Sequence, residues 1–538
     1  MASLRMKAWV LCGLLLLCSG YAAASTSGMY SILDEKGIRA DGKTLNTQTI
    51  QRAMDKISEK GGGTLIFPAG TYVTGTLRLR SNVTLQLEAG AVIAGSPNLE
   101  DYPEITLSFP TMDDLFFKQC LIYAEKAENI AIIGQGKIDG QGDSEAFVRK
   151  STKAPDRYTH RPSLIRLVEC TGITLRDIRI QDSAFWVTHF LACEDVVVDG
   201  VRVESRGANY NNDGFDIDCC NNVRLSNCSI NSQDDAICLK STGKKICRNI
   251  TITNCVVSSQ CSGIRFGCEA LGGFEDITLS NIVLHDVGAT AIQLQIFDGG
   301  RLDRVILSGI TMNNVAHGIL INVGHELYPI GVAGADLRVD RGKAMGRVGG
   351  IIIRDVIAQG VGRCYGRSVG GKESEIERKI GCIISGMPES PLDTIVLENI
   401  RMTFVGKGTE EDAKSDLSAV KNGFNAASMG MTPAYGFYCR YVNHLRMRDV
   451  IIDTETEDKR SPFIFERCNE VDLFNVTGSI SAGVESALQF RNVREALLHS
   501  GRWTGPGAFL TVAGAESKGI YLEGVGLSTP DRIRIAPE

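Results

Sequence analysis

Three aspartates have the residue type and the spacing from which acid–base chemistry could be built. Asp213 ends the run Asn211-Asn-Asp213, and Asp234 and Asp235 are adjacent further along the chain. Carboxyl groups that are crowded together cannot all ionise easily, so one of them keeps its proton near neutral pH. These three aspartates, with Asn211 and Asp216 beside Asp213, are therefore the predicted functional site. Because Asp and Asn are also common at turns, solvated turn residues or a calcium site are the alternatives.

The stretch that joins these aspartates is one copy of a repeat. The copies advance in steps of 23, 27, 27, 27 and 28 residues. They begin at Ile173, Val196, Val223, Ile250, Ile277 and Val305. Repeats of this length build parallel β-solenoids, in which neighbouring coils stack about 4.8 Å apart. The sequence thus predicts an all-β solenoid in which carboxylates from consecutive coils lie side by side.

The residues before the repeats predict how the solenoid is closed. Gly37–Thr44 is predicted as a loop, and apolar residues at helical spacing then predict a helix near Thr47–Lys60. Such a helix would cap the apolar cross-section at the end of the solenoid. The strand pattern continues almost to the C-terminus without a linker, so residues 25–538 are interpreted as a single domain.

Two further patterns concern the corners and the borders of the solenoid. Asn227, Asn254 and Asn281 share one repeat position, where stacked amides can bond to the coils above and below. Long polar or glycine-rich insertions follow the regular repeats, and they are predicted to border a groove. They span residues 325–348, 362–379 and 406–432.

Composition and charge narrow the class of protein. The 538 residues include 58 glycines and 14 prolines and carry a net charge of −6, which indicates a folded, turn-rich protein. Without a basic tract, nucleic acid is not an expected partner.

Residues 1–24 are predicted to be an export signal, because two cations precede the apolar run Ala8–Cys18 and small residues follow it. That run is too short to span a bilayer, so we expect an exported protein, secreted or periplasmic, without a membrane span.

The positions of the cysteines predict that their side chains pack inside the solenoid rather than form disulfides or bind a metal. Of the 17 cysteines, Cys12 and Cys18 fall within the predicted signal. Cys228 and Cys255 hold the same repeat position, which favours small side chains stacked inside the solenoid over a disulfide framework. The cysteine spacing does not indicate a metal site, and no metal or cofactor is predicted.

With these motifs the sequence resembles glycoside hydrolase family 28, the polygalacturonase family of right-handed parallel β-helices. The resemblance covers most of the chain after the signal. It rests on Asp41-Gly-Lys-Thr44, Phe67-Pro-Ala-Gly-Thr-Tyr72, Trp186-Val-Thr-His189, Asn211-Asn-Asp213, Gln233-Asp-Asp235 and Cys261-Ser-Gly263. The family pattern of Asn-Thr-Asp followed by Gly-Asp-Asp is matched in spacing, with all three acids present. The resemblance implies a right-handed β-helix that hydrolyses a glycosidic bond of a pectic poly- or oligosaccharide with inversion.

The resemblance also implies roles for the acids. Asp234 corresponds to the general acid, and Asp213 and Asp235 correspond to the pair that holds and activates water. Inverting enzymes separate acid and base by about 6.5–9.5 Å to admit that water. Asn211 is expected to lie at the substrate. His189 is expected either to orient one of these acids or to be a buried, hydrogen-bonded histidine.

Two motifs of the family are changed in this sequence. Ser262 stands where the family has the histidine of Gly-His-Gly, and both Ser262 and Asp235 lie 12 residues after the first apolar residue of their coils, which predicts that they are neighbours. Gln293-Leu-Gln295 replaces Arg-Ile-Lys, so the two amides can bond to a substrate carboxylate but bring no charge. Arg265 is a candidate for the missing cation, and a salt bridge with Glu269 is its alternative role.

Two other function classes remain open from the sequence. A polysaccharide lyase on a similar β-helix would need a Ca²⁺ site and a cationic base, for which Arg265 and Lys240 are the candidates near the acids. A non-catalytic carbohydrate-binding solenoid would need neither. Within the hydrolase interpretation, the insertions favour a blocked groove and exo action, and the lost cations favour a linkage such as that of rhamnogalacturonan over plain galacturonan.

Overall fold

Parallel strands from successive coils pair along nearly the whole described chain and wind into a right-handed parallel β-helix, which confirms the predicted fold class. The computed structural model describes residues 28–112, 118–148, 160–207, 209–325, 345–367, 373–418, 420, 423–501, 503–524 and 533–535. The predicted export signal and most of the insertion at 325–348 lie outside these residues. Within the described part of the chain, none of the helices is long and apolar enough to cross a membrane.

The N-terminal part contains ten strands and one helix. They are β1 (Gly28–Ser31), β2 (Asp41–Leu45), α1 (Thr47–Glu59), β3 (Gly63–Phe67), β4 (Gly70–Thr74), β5 (Leu77–Arg78), β6 (Val83–Leu87), β7 (Ala91–Gly95), β8 (Cys120–Glu125), β9 (Glu128–Gly134) and β10 (Lys137–Asp139). Short 3₁₀ turns occur at Ile32–Asp34, Leu99–Asp101 and Glu145–Phe147.

The central part holds the regular repeats, and its later strands bend around the corners without a break. Its strands are β11 (Ser163–Val168), β12 (Thr171–Arg176), β13 (Arg179–Gln181), β14 (Thr188–Leu191), β15 (Glu194–Asp199), β16 (Arg202–Ser205), β17 (Phe215–Asp218), β18 (Asn221–Ser226), β19 (Ser229–Ser232), β20 (Ile237–Ser241), β21 (Cys247–Ser259), β22 (Ile264–Ala270), β23 (Phe274–Ile296) and β24 (Arg301–Val323).

The C-terminal part continues the same coils. Its elements are β25 (Arg347–Val361), β26 (Arg363–Arg367), β27 (Glu373–Glu377), β28 (Cys382–Ser385), β29 (Leu392–Phe404), α2 (Ala426–Met429), β30 (Ala434–Arg440), β31 (Val442–Thr454), β32 (Ser461–Glu466), β33 (Asn469–Phe474), β34 (Thr477–Ser479), β35 (Ser486–Arg491), β36 (Arg494–His499), β37 (Trp503–Thr504), β38 (Ala508–Ala513), β39 (Lys518–Glu523) and β40 (Ile533–Ile535). A 3₁₀ turn lies at Asp412–Lys414, and β26 and β27 form an antiparallel hairpin within the insertion at 362–379.

Helix α1 confirms the predicted cap. Its apolar residues Ile50, Ala53, Met54 and Ile57 are all buried, and the helix packs on β3 and β5. Covering the end of the solenoid removes its apolar cross-section from water. The loop predicted at Gly37–Thr44 is wrong at its C-terminal end, where β2 pairs with β4. Backbone pairing rather than an apolar pattern forms β2, whose side chains are mostly exposed.

Each coil has three straight segments, which stack into three faces. In the central coil β18 lies on face 1, β19 on face 2 and β20 on face 3. The apolar residues that begin the repeats form one column on face 1, in which Val223 pairs with Val196 on one side and Ile250 on the other. The strands therefore pair in the register that the repeat steps predict. Because corners stack as well as faces, corner residues of neighbouring coils meet.

The predicted asparagine stack lines the corner between faces 1 and 2. Asn254 donates its amide to the Asn227 side chain over 3.3 Å, and Asn281 donates to Asn254 over 3.4 Å. All three have φ between 54° and 58°, a left-handed conformation that asparagine tolerates. The stack thus holds the corners in register, and its predicted structural role is confirmed.

The cysteines are packed as free thiols. All cysteines among the described side chains are free, and all of them except Cys261 are buried. Cys228 and Cys255 stack on neighbouring coils, because each begins face 2 of its coil. For the described cysteines, the prediction of small buried side chains in place of a disulfide framework is confirmed.

Candidate active site

The predicted acids lie at the corner between faces 2 and 3. Asp213 precedes β17, Asp235 precedes β20 and Ser262 precedes β22. The Gly214 N–H donates to the Asp235 carbonyl over 2.9 Å, and the Ala236 N–H donates to the Ser262 carbonyl over 2.9 Å. Asp213, Asp235 and Ser262 therefore stack on three consecutive coils, as the repeat register predicts.

Asp234 is the most accessible of the three acids. It is half-buried, whereas Asp213 and Asp235 are each 3% exposed. Its Oδ2 accepts the Asn211 backbone N–H over 3.2 Å and the Asn211 side-chain amide over 3.4 Å. Burial and then the charge of Asp235 raise the pKa of Asp234 above its ordinary value. A raised pKa together with access to solvent suits a proton donor.

Asp235 is held as a carboxylate. The Arg265 Nη1 donates to its Oδ2 over 2.9 Å, and the Ser262 N–H donates to its Oδ1 over 3.1 Å. Burial alone would raise the pKa of Asp235, but the charges of Arg265 and Lys240 outweigh burial and hold that pKa below its ordinary value. Two adjacent acids thus have pKa values moved in opposite directions, which is the arrangement expected of an acid and a base.

Asp213 is enclosed together with a fourth acid, Asp216. Burial raises the pKa of both carboxyl groups well above the ordinary value, and the charges of Asp216 and Asp234 add to the shift at Asp213. The Oδ1 of Asp213 and both carboxyl oxygens of Asp216 make no hydrogen bond within the protein. Buried polar oxygens that make no hydrogen bond within the protein are suited to hold a water molecule.

Lys240 balances these acids from face 3. Its Nζ donates to Glu269 Oε2 over 3.1 Å, lies 3.8 Å from Asp216 Oδ1 and sits 4.7 Å from the centre of the Trp186 ring. The alternative prediction of a salt bridge between Arg265 and Glu269 is wrong, because Glu269 pairs with Lys240 while Arg265 pairs with Asp235. Lys240 and Arg265 are therefore both already paired with carboxylates.

His189 occupies the buried, hydrogen-bonded role that was one of its two alternatives. Its Nε2 lies 3.2 Å from Asp218 Oδ2, and Asp218 also accepts the Thr242 N–H over 2.9 Å and the Thr242 hydroxyl over 2.6 Å. Burial lowers the pKa of His189 to about 4, although the bond to Asp218 opposes the shift. The imidazole is therefore neutral at physiological pH, and its partner is Asp218 rather than one of the three predicted acids.

Gln293 and Gln295 lie fully buried beneath the insertion at 406–432. The Gln293 Nε2 donates to the Phe424 carbonyl over 3.0 Å, and the Gln295 Nε2 donates to the Gly423 carbonyl over 2.8 Å. The Phe424 ring centre lies 4.7 Å from the guanidinium carbon of Arg265. The insertion therefore reaches the acids, and the two amides predicted to bind substrate are bonded to it.

Two groups of side chains have the ligand types of a metal site. In each group the ligand atoms lie within 4.8 Å of one another, and the groups are Asp213 with Asp216 and Cys238, and Asp234 with Asp235 and Cys261. Burial raises the pKa of both thiols well above the ordinary value, so neither thiol is a ready thiolate ligand. Because Lys240 and Arg265 already offset the acids, the geometry favours a cluster of protonated and ion-paired groups.

The sequence interpretation placed Asp216 beside Asp213 without a role of its own, and it missed Asp218 and Phe424. Asp216 and Asp218 alternate with the buried residues Phe215 and Ile217 along β17. Such period-2 placement of charge in an apolar strand is the signal that could have assigned them to the outer side of face 3. Phe424 has no comparable signal, because it lies 131 residues from its partner Gln293.

Sequence comparison finds relatives of this chain among the polygalacturonases. The sequence profile of glycosyl hydrolases family 28 matches residues 64–328, which include all the predicted site residues. A probable polygalacturonase of Vitis vinifera is 25% identical over 434 residues, covering 77% of this chain and 83% of the relative. An exo-poly-alpha-D-galacturonosidase of Dickeya chrysanthemi is 27% identical over 248 residues, covering 38% of this chain and 41% of that protein.

Solved structures share the fold. The family 28 exopolygalacturonase of Yersinia enterocolitica superposes with a TM-score of 0.63 at 19% identity, over 83% of this chain and 78% of that one. The hyperthermoactive exopolygalacturonase from Thermotoga maritima superposes with a TM-score of 0.57 at 22% identity, over 70% of this chain and 87% of that one. At these identities the likeness establishes the common β-helix.

Proposed function

Because this chain belongs to family 28 of the glycosyl hydrolases, it is a glycosidase, and we propose that it hydrolyses pectic poly- or oligosaccharides with inversion. One observation carries the proposal: the half-buried Asp234 and the ion-paired Asp235 are adjacent acids whose pKa values are moved in opposite directions. Hydrolysis with inversion needs one protonated and one ionised carboxyl group, and the opposite pKa shifts provide one of each. The names of the polygalacturonase relatives support a pectic substrate.

In this proposal each acid has one task. Asp234 gives its proton to the oxygen of the leaving sugar, since it is the acid that reaches solvent. Asp235, which Arg265 keeps ionised, takes a proton from the attacking water. Asp213 and Asp216 hold that water through the oxygens that make no hydrogen bond within the protein. The step balances as hydrolysis, because the water hydroxyl joins the anomeric carbon, the water proton goes to Asp235 and the leaving oxygen takes the proton of Asp234. Exchange of one proton with solvent then restores both acids.

Product analysis of the purified protein on pectic fragments tests this function. A hydrolase releases a new reducing end without a new double bond, and proton magnetic resonance of the first product reports inversion at the anomeric carbon. An ultraviolet-absorbing unsaturated product would instead identify a lyase. Binding of the fragments without any product would identify a carbohydrate-binding solenoid.

We also propose that the preferred substrate is a linkage such as that of rhamnogalacturonan, with a neutral sugar at the cleaved position. A uronate there would meet the acids, while Arg265 and Lys240 are already paired with carboxylates and Gln293 and Gln295 are uncharged. Charge-assisted hydrogen bonds to a carboxylate are worth roughly 1.5–3 kcal/mol each. We therefore expect kcat/KM on rhamnogalacturonan fragments to exceed that on homogalacturonan oligomers by about tenfold or more.

Reducing-end assays on matched fragments of the two polymers measure this preference. The control is the same comparison with Arg265→Gln. Faster cleavage of homogalacturonan oligomers, lost in Arg265→Gln, would contradict the proposal and identify Arg265 as a uronate clamp.

The insertion at 406–432 supports exo action. Its residues Leu417 and Met429 pack with Leu320, Ile383 and Tyr438, which lie on the outer side of face 3 beyond the acids. A chain of sugars could not continue along a face that is covered in this way. We expect the earliest products to have one uniform short length, and chromatography of a time course checks it. A broad mixture of lengths at the first time points would indicate endo action.

We further propose that the protein is exported, on the pattern of residues 1–24 alone. Sequencing of the N-terminus of protein recovered from the native host would test the cleavage expected after the small residues Ala22–Ala24.

A further inference from the structure

Three buried amides on face 3 are bonded to the backbone of one short segment. Besides Gln293 and Gln295, Asn322 donates its Nδ2 to the Gly423 carbonyl over 3.1 Å, and Gln295 also donates to Asn322 over 2.8 Å. All three side chains are at most 2% exposed. Satisfying two adjacent carbonyls with buried amides fixes the position of the Gly423–Phe424 backbone, since breaking these bonds would leave buried polar groups unpaired.

Two buried arginines fix the flanks of the same insertion. Arg440 donates to the carbonyls of Leu417 and Val420. Arg460 donates to the Thr432 carbonyl over 3.3 Å and is paired with Asp458 at 2.7 Å. The insertion is therefore a wall anchored along its length rather than a loop that merely passes over the acids.

The wall presents one large aromatic ring beside the acids. The Phe424 side chain is 38% exposed, whereas most large apolar side chains of the protein are buried. One part of the ring rests on the guanidinium of Arg265, whose Nη1 bonds to Asp235. An exposed aromatic ring next to a carboxylate pair gains stability when an apolar surface covers it. The flat, C–H-rich face of a pyranose is such a surface.

We propose that Phe424 is the platform on which a sugar ring of the substrate packs next to the cleaved bond, and that Gln293, Gln295 and Asn322 are positioning residues that hold it there. The inference rests on the proposed glycosidase function and specifies its substrate contact. A platform of this kind recognises the face of a pyranose rather than its charge. It therefore suits a neutral sugar at a site where Arg265 and Lys240 are already paired with carboxylates.

Kinetics of Phe424→Ala on the best pectic fragment test the platform. We expect KM to rise about tenfold with kcat changed by less than about threefold, because the ring binds ground state and transition state alike. Phe424→Tyr and Phe424→Trp keep an aromatic face and should retain a KM near that of the wild type. Ile357→Ala, at a side chain 62% exposed on face 2, is the matched control and should leave both constants unchanged.

The positioning residues are tested through Gln295→Leu, which keeps the size of the side chain but removes its amide. We expect it to raise KM as Phe424→Ala does, and the double variant should show no further increase, because both changes remove the same contact. An unchanged KM in Phe424→Ala, with the wild type active, would overturn the platform. Additive effects in the double variant would overturn the positioning role.

A binding measurement separates this inference from the function on which it rests. Calorimetric titration of uncleaved pectic fragments into Asp234→Asn, with and without Phe424→Ala, is expected to show Kd weakened about tenfold by loss of the ring. If the wild type binds but releases no product, the glycosidase proposal is wrong. The titration alone then decides whether Phe424 is the platform. Equal Kd values in the two proteins, or no binding by either, would overturn the platform.

Discussion

Asp234→Asn is expected to lower kcat on pectic fragments by on the order of 10²–10⁴, the contribution typical of a general acid. The amide keeps the size of the side chain and its contact with Asn211, but it has no proton of suitable acidity to give. Fold and substrate affinity should therefore be retained. Steady-state kinetics with reducing-end detection measure the loss, and circular dichroism with a binding titration verifies the rest.

Two further variants test the assignment of Asp234 as the general acid. Asp355→Asn, at an exposed corner where asparagine suits the left-handed backbone (φ 56°), is the matched control and should leave kcat unchanged. Asp235→Asn should also be severely impaired, and the double variant should lose no more than about the larger single loss, because the acids act as a unit. Near-normal turnover by Asp234→Asn with an unaltered pH profile would show that another group, with Asp213 as the first candidate, donates the proton.

Arg265→Gln is expected to lower both stability and activity at neutral pH. Arg265 is 4% exposed and neutralises Asp235, so its loss leaves a buried carboxylate without its partner. Breaking a buried pair in this way is expected to reduce the free energy of unfolding by about 3–5 kcal/mol. Arg265→Lys, which keeps the charge but not the planar geometry, should lose less. Denaturant unfolding at neutral pH measures both variants.

The pH dependence of this effect has a definite sign. In the wild type the pKa of Asp235 is below its ordinary value of 3.8, so the stability it contributes is present above that value and is lost as pH falls through the folded-state pKa. In Arg265→Gln burial is no longer offset by the guanidinium, and the pKa of Asp235 should rise. The stability deficit should then be largest at neutral pH and shrink on acidification, as protonation removes the unpaired charge.

The same change should move the acidic limb of the pH–rate profile to higher pH, because the base must be ionised to act. The other titratable groups around Asp235 among the described residues are Asp234, Asp213, Asp216, Lys240, Cys238, Cys261 and Cys268. Asp235→Asn combined with Arg265→Gln is the control, since it removes the unpaired charge and should recover much of the stability while staying inactive. A stability deficit that grows on acidification would contradict the assignment of the pair.

Much of the architecture could be predicted because, in a solenoid, residues one repeat apart in the sequence are neighbours in space. The repeat that starts at Val196, Val223 and Ile250 pairs in that register, and the asparagine stack follows from it. The same rule placed Ser262 next to Asp235. These contacts join residues one coil apart, so a constant repeat length is enough to find them.

What the sequence by itself determined about this protein is therefore the coil, its cap and the column formed by Asp213, Asp235 and Ser262. Only the tertiary structure decided how the charges pair and what covers the site. From the sequence, Arg265 was either a cation for a substrate carboxylate or a partner of Glu269, and its pairing with Asp235 became known only from the side-chain directions on face 3. The amides of Gln293 and Gln295 met a segment 131 and 128 residues away. The physical reason is that an insertion leaves the repeat, so its contacts depend on long-range packing that no periodicity encodes.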